Sequence, residues 1–188
     1  MSYDFYSYRS SRGQPLPEEA QGIIEKEEET TFRDDPEARE IKEKIAAALL
    51  NINPRLERFV FDYSKIADSL KISEEQARLR YNHIEMNPPE GDLVVQVSIF
   101  EDHVAYSIPY WYGDSKGDLV FAQLLAYLKA VRETAGFLAY DPQSDRAFDP
   151  LREEMMSDNS DYKAMSANLP ALVAQGMPGR KKPWWKFW

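Results

Sequence analysis

At 188 residues, with 43% hydrophobic and 13% aromatic residues, the chain has the size of one domain with extensions and enough apolar surface to exclude wholesale disorder. A net charge of −9 argues against broad nucleic-acid binding and for solubility or a basic partner. Zero cysteines exclude a disulfide framework, a thiolate nucleophile and thiolate metal sites.

No apolar run reaches the roughly 20 residues that cross a bilayer. The opening MSYDFYSYRSSRG has no apolar h-region and carries Asp4 early, so a cytoplasmic location is expected. Within that opening, residues 2–9 suit a strand, with Tyr3 and Phe5 on one face and Tyr6 and Tyr8 on the other. Large apolar groups on both faces predict a central or covered strand. Residues 10–35 turn polar and acidic, with Pro15, Pro17 and the run EKEEE at 25–29, as in a solvated loop or a short exposed helix.

Asp35 as N-cap, Pro36 at the first helical position and Glu37 in the first turn then open a helix. Ile41, Ile45, Ala48, Leu49 and Ile52 follow at helical spacing, and Asn53-Pro54 closes the segment. Residues 62–83 read as two short helices, the second opened by a Ser73/Gln76 capping box.

The stretch IADSLKISEEQARLRY (66–81) has the outline of a helix-turn-helix. The amino-terminal residues of a recognition helix reach base edges and lie close to phosphates, and here they are Glu74 and Glu75. Four acids (Asp62, Asp68, Glu74, Glu75) balance four bases (Lys65, Lys71, Arg78, Arg80), so the unit has no electrostatic footprint for DNA. Lys71 stands where such a turn favours glycine. A packing hairpin is the preferred reading, with Arg78 and Arg80 the residues to mutate if it binds DNA.

Residues 92–100 alternate Leu93, Val95, Val97 and Ile99 against Val94, Gln96, Ser98 and Phe100, and HVAYSIPYW (103–111) returns after Glu101-Asp102. This predicts a β-hairpin with an acidic tip, and Pro109 puts the end of its second strand at an edge or bulge. A long apolar helix is expected from Gly117 to Ala135, ended by Gly136. A strand FLAY (137–140), a turn at 141–145 and a short returning strand RAF (146–148) follow.

With the 62–83 hairpin set aside as an insertion, the order is βαββαβ. The fold class expected is α+β, an antiparallel sheet with helices on one face in a ferredoxin-like arrangement. The domain spans 1–150, and 151–188 form an extension with a basic, aromatic tail. An alternative order takes residues 56–61, LERFVF, as a further strand.

MSYDFYSYR at the start and GFLAYDPQSDRAFDP at 136–150 resemble a set of small bacterial α+β proteins that begin with an MSYDL-type strand and carry a YDPQ turn. Some proteins of this look are regarded as immunity partners of toxins. The resemblance implies a protein partner and carries over no catalytic residue.

Three functional classes follow. The first is a non-catalytic protein-interaction domain of immunity or antitoxin type, whose acidic surface attracts a basic partner such as a toxin. Candidate contact acids are EKEEE, Asp34-Asp35 and Glu101-Asp102. Trp111 and Tyr112 are interface anchors if exposed, and Tyr140, Asp141 and Gln143 are polar groups of a turn that could face a partner. The second class is an enzyme using a His/carboxylate cluster of His83, Glu85, Asp102 and His103. The third is a helix-turn-helix regulator.

Neither a cofactor nor a metal is expected. There is no Gly-rich phosphate loop, no G-x-S-x-G elbow and no H-E-x-x-H. The tail GRKKPWWKFW carries +4 from Arg180, Lys181, Lys182 and Lys186; removing it from −9 leaves −13 on the remainder. Trp184, Trp185 and Trp188 could meet the chain's own surface, a partner's groove or an anionic membrane, and a protein contact is favoured over lipid.

Overall fold

The computed structural model describes residues 2–26, 35–110, 112, 114–152 and 162–163. Its elements are β1 (Ser2–Tyr8), α1 (Pro17–Lys26), α2 (Pro36–Ile52), β2 (Glu57–Arg58), α3 (Tyr63–Leu70), α4 (Glu74–Arg80), β3 (Ile84–Asn87), β4 (Gln96–Ile99), β5 (His103–Pro109), α5 (Asp114–Ala135), β6 (Leu138–Asp141) and β7 (Arg146–Phe148). The α+β class is as expected. The sheet has seven strands where the ferredoxin-like arrangement has four, in the order β2-β3-β4-β5-β1-β6-β7, with every neighbouring pair antiparallel.

The two extra strands on one side are β2 and β3. β2 lies within the LERFVF stretch, and β3 pairs Ile84 with Ile99 and Met86 with Val97. Strand β1 is central: Phe5 faces Tyr106 of β5, while Tyr6 faces Tyr140 of β6.

Because side chains alternate along a strand, the registers divide the sheet into two faces. The inner face presents Phe5, Val97, Ile99, Val104, Tyr106 and Phe148 to Ile45 and Leu49 of α2 and to Val120, Leu124 and Leu128 of α5, all in one core. The caps of α2 are those the sequence announces: Asp35 accepts from the Glu37 amide, Pro36 opens the helix and Asn53 closes it. Its buried stripe is rotated from the expected one and runs through Ala38, Lys42, Ile45, Ala46 and Leu49, leaving Ile52 partly exposed. Lys42 survives in that stripe because its Nζ donates to the Asn82 carbonyl at 2.9 Å.

The expectation of helices on one face needs correction. Helix α1 packs on the opposite, outer face: Ala20, Ile23 and Ile24 cover Tyr8, Leu138, Tyr140 and Ala147. A polar loop binds it there. Ser10 Oγ donates to Glu19 Oε2 (2.7 Å), the Ser11 amide and hydroxyl both donate to Glu19 Oε1 (2.6 Å), and the Leu16 amide donates to the Tyr8 hydroxyl (2.9 Å). The Ser11 bonds hold the Glu19 carboxyl below its ordinary range.

The α3–α4 hairpin forms as expected and has a small core of its own, Phe61, Ile66, Ala67 and Ala77. Ser73 and Gln76 complete their capping box, and Lys71 ends α3 in the left-handed region at φ 56°. Near the far edge of the sheet, Arg132 of α5 makes a two-pronged contact with Asp149 (3.1 and 2.9 Å). These bonds keep the Asp149 carboxyl below its ordinary range.

The core also reaches past residue 150. Tyr162 is 1% exposed, stacks on Tyr110 with ring centroids 5.8 Å apart, and meets Tyr3 and Phe121 edge-on or tilted. Its hydroxyl donates to the Pro109 carbonyl at 2.8 Å. Gly117 makes room for it, because a Cβ there would lie 3.3 Å from the Tyr162 ring. Lys163 pairs with Asp118 at 2.9 Å.

Removing a buried ring of this size costs about 3–5 kcal/mol. Tyr162→Ala should therefore lower the urea midpoint sharply at unchanged slope, whereas Tyr162→Phe should lose only about 1 kcal/mol, for its hydroxyl bond.

Candidate functional site

Between α1 at one end and the α3–α4 hairpin at the other, the outer face of the sheet carries short or polar side chains, partly exposed except for the exposed Glu57. The registers set them in cross-strand rows. One row runs Glu57, Asn87, Gln96, Ser107, Asp4; the next runs Glu85, Ser98, Ala105, Tyr6. Ser98, Ala105 and Ser107 make a low floor, with Tyr6 rising on one side and Glu85 on the other.

Two of the carboxylates, those of Glu85 and Asp4, are oriented. Asn87 Nδ2 and Gln96 Nε2 both donate to Glu85 Oε1 at 2.9 Å, and Ser107 Oγ donates to Asp4 Oδ1 at 2.7 Å. No other hydrogen bond to either carboxylate is found among the described residues, so Glu85 Oε2 and Asp4 Oδ2 are open to a donor. The face thus carries three carboxylates, of Glu57, Glu85 and Asp4, and its two rows contain no lysine or arginine. An array of oriented acceptors without a cation favours ammonium or guanidinium groups. Sequence reading sees Gln96 and Ser98 as the outward set of their strand, but assigns nothing to Asp4 or to Glu85 as acceptors. Which face the helices leave bare is decided by tertiary packing.

A third row closes one end of this face and contains both histidines. His83 and His103 stack on opposite sides of Phe100, with centroids 4.9 and 4.4 Å from it. Folding therefore brings the two imidazoles near each other, although they start in separate elements. Both are buried, at 5% and 1% exposure. Burial, with the charges of Lys42 and His103, lowers the His83 pKa from its ordinary 6.5 to about 3. His103 Nδ1 contacts Asp102 Oδ1 at 2.9 Å. Burial pushes Asp102 upward, but the hydrogen bond and charge of His103, with the charge of Arg9, outweigh it and hold that carboxyl below its ordinary range. Among the described residues no group of three or more His, Asp or Glu could hold a metal ion.

Of the two arginines of the helix-turn-helix outline, Arg78 is already engaged and Arg80 is exposed. Arg78 donates to Glu74 at 2.6 Å and lies over the Tyr63 ring at 4.6 Å. The helix that would read bases, α4, is seven residues long.

Several expected contact residues prove to be internal. Tyr112 is 7% exposed; it accepts from the Val94 amide (2.6 Å) and donates to the Asp92 carbonyl (3.4 Å), so it braces the approach to β4 rather than anchoring a partner. Tyr140 is buried under α1, its hydroxyl tied to Gln21 and Asp145. Asp141 accepts from the Tyr3 hydroxyl, the Gln143 amide and the Ser144 hydroxyl, which makes YDPQ a turn bolted to the core.

Gln143 is exposed at the rim of the open face; its side-chain amide faces two acceptors, Asp141 Oδ1 (2.8 Å) and the Asp4 carbonyl (2.9 Å), which select the orientation with its nitrogen toward them. Of the hairpin tip, Glu101 accepts weakly from Asn82 (3.4 Å), and Asp102 is half-exposed beside His103. Trp111, Trp184, Trp185 and Trp188, and most of EKEEE with Asp34, lie outside the described residues.

No protein-family model, curated protein or solved structure matches the chain.

The depressed His83 pKa has a consequence for stability. The unfolded chain takes up a proton at this site as pH falls below about 6.5, while the folded chain does so only near 3. Folding therefore loses stability across that interval, by up to about 1.4 kcal/mol per pH unit. Asp102 acts in a lower window: the stability it adds is present above its unfolded pKa, near 4, and fades below it. Denaturant titrations between pH 6.5 and 4.5 should thus show a clear fall in stability, and His83→Phe should flatten it. Identical slopes in the two proteins would rule out a neutral buried imidazole.

Proposed function

We propose that this protein is a non-catalytic protein-interaction domain whose open outer sheet face receives a basic partner. The observation that carries the reading is the pairing of oriented carboxylates with a complete lack of lysine and arginine in the two rows of that face. Long-range attraction from a chain of net −9 would speed encounter, and the fixed acceptors would set register. The surface differs from the one expected from sequence: Glu57, Glu85 and Asp4 take the leading role, with Glu101, Asp102 and Gln143 at the rim.

An immunity or antitoxin-like role in a bacterial cytoplasm, with a basic toxin as partner, remains our proposal, supported by the resemblance of MSYDFYSYR and the YDPQ turn. We also infer that β4-β5-β1-β6 with α2 and α5 constitute a ferredoxin-like βαββαβ unit, supported by the adjacency of those four strands. On this view β2-β3 and β7 widen the unit at either side, and α3–α4 is inserted.

The enzyme reading is disfavoured because both imidazoles are buried and His83 stays neutral across the physiological range. The DNA-binding reading is disfavoured by the balanced charge of residues 62–83 and by the engagement of Arg78. No helix of the described residues is long and apolar enough to cross a membrane.

The test uses fluorescence anisotropy with a labelled octalysine peptide and the full chain. Asp4→Asn, Glu57→Gln and Glu85→Gln preserve shape and leave the acceptor oxygens for Ser107, Asn87 and Gln96. Together they should weaken binding about tenfold, since partly exposed ion pairs contribute about 0.2–1 kcal/mol each. The difference should shrink as salt rises from 0.05 to about 0.5 M. Equal affinity of the triple variant and the native chain would remove the open face as the docking surface.

A further inference from the structure

We propose that the chain carries its own occupant for this face: the segment GRKKPWWKFW at residues 179–188 docks on the Asp4–Glu85 surface of the same molecule and competes with other basic partners. The proposal rests on the reading of that face as a receiver of cations.

Charge is the first argument. The segment holds four cations and no acid, and the two rows of the face hold three carboxylates and no cation. Within the full sequence no other ten-residue stretch has so large a positive charge.

Shape is the second. Extended, ten residues span roughly 33 Å. The longer open row crosses five strands, β2 to β1, roughly 19 Å from four spacings near 4.8 Å, so the segment is long enough to span it. A floor of Ser98, Ala105 and Ser107 leaves room for large side chains.

Tethering is the third. Tyr162 is fixed by its bond to the Pro109 carbonyl, and Pro109 lies two residues along β5 from Ser107, a floor residue of the open face. Tyr162 itself lies on the opposite, α5 side of the sheet with Tyr3 and Phe121, so residues after Lys163 must round the strand ends near Pro109 to reach the open face. Residues 164–178 supply fifteen links, up to roughly 50 Å of reach, which is more than the width of the sheet. A short tether gives an effective concentration on the order of millimolar. Even a weak contact is then occupied much of the time, and a free partner must outcompete it.

The experiment measures binding of a labelled synthetic peptide of residues 179–188 to three full-length proteins: the native chain, the chain with Arg180, Lys181, Lys182 and Lys186 all changed to Gln, and that variant with Asp4→Asn and Glu85→Gln added. Circular dichroism of each checks that the fold is retained. The expected result is weak binding to the native chain, at least fivefold tighter binding once its own segment is neutralised, and loss of that gain when the two carboxylates are removed.

Equal binding to the first two proteins, still lost on removing the carboxylates, would overturn self-occupancy while leaving the face a docking surface. Binding insensitive to Asp4 and Glu85 in every background would overturn both readings. As a second readout, acrylamide quenching of tryptophan should rise in Asp4→Asn/Glu85→Gln in the otherwise native chain. Quenching identical to the native chain would count against self-occupancy.

Discussion

Strand β1 holds the structure together because it is bonded on both edges and packed on both faces. β5 pairs with its full length and β6 with its last three residues, so neighbouring strands take up its bonding groups along one whole edge and at Tyr6–Tyr8 on the other. Tyr3 and Phe5 feed the core under α2 and α5, while Tyr8 feeds the smaller cluster under α1. A strand so placed fixes the register of the sheet, since a slip of one residue would exchange the two clusters. The open face follows from the same constraint. Asp4 and Tyr6 must point away from α2 and α5 once Tyr3 and Phe5 point toward them, and α1 extends only far enough to cover Tyr8 and its neighbours.

That division of labour gives the outer face two characters. Near α1 and the His83–Phe100–His103 stack it is aromatic and closed; between them it is polar, acidic and accessible. Hydrogen bonds from Asn87, Gln96 and Ser107 orient the acids without neutralising them, because amides and hydroxyls carry no charge. A lysine at any of those positions would have silenced the surface. Oriented acceptors spread over neighbouring strands suit an elongated partner better than a small molecule.

Much of the fold was legible from local signals. The two faces of β1, the β4–β5 hairpin, the Asp35-Pro36 start of α2, the Ser73/Gln76 box and the long α5 are each written in a few neighbouring residues. Strand β3 was not, because only Ile84 and Met86 alternate and His83 attaches the segment to the preceding hairpin. Helix α1 was hidden by charge: Ala20, Ile23 and Ile24 form an apolar stripe inside a stretch dominated by glutamate. Lys42 at a core position contradicts any pattern based on hydrophobicity and makes sense only with the Asn82 carbonyl in view. The candidate site was the least legible part. Tyr112, Tyr140 and Asp141 looked like presenters because they are polar-tipped, and packing turned each inward. Asp4 and Glu85 looked ordinary, and packing left them facing out.

The seat of Tyr162 bears on where this domain may be cut. Judged by its strands, the fold finishes with β7, and a fragment ending near Pro150 would retain the whole sheet. Such a fragment would also carry an empty socket walled by Tyr3, Tyr110 and Phe121, with Gly117 as its unfilled notch. An aromatic cleft of that kind adheres to whatever apolar group it meets, so trimming the chain at its apparent border would leave it adhesive.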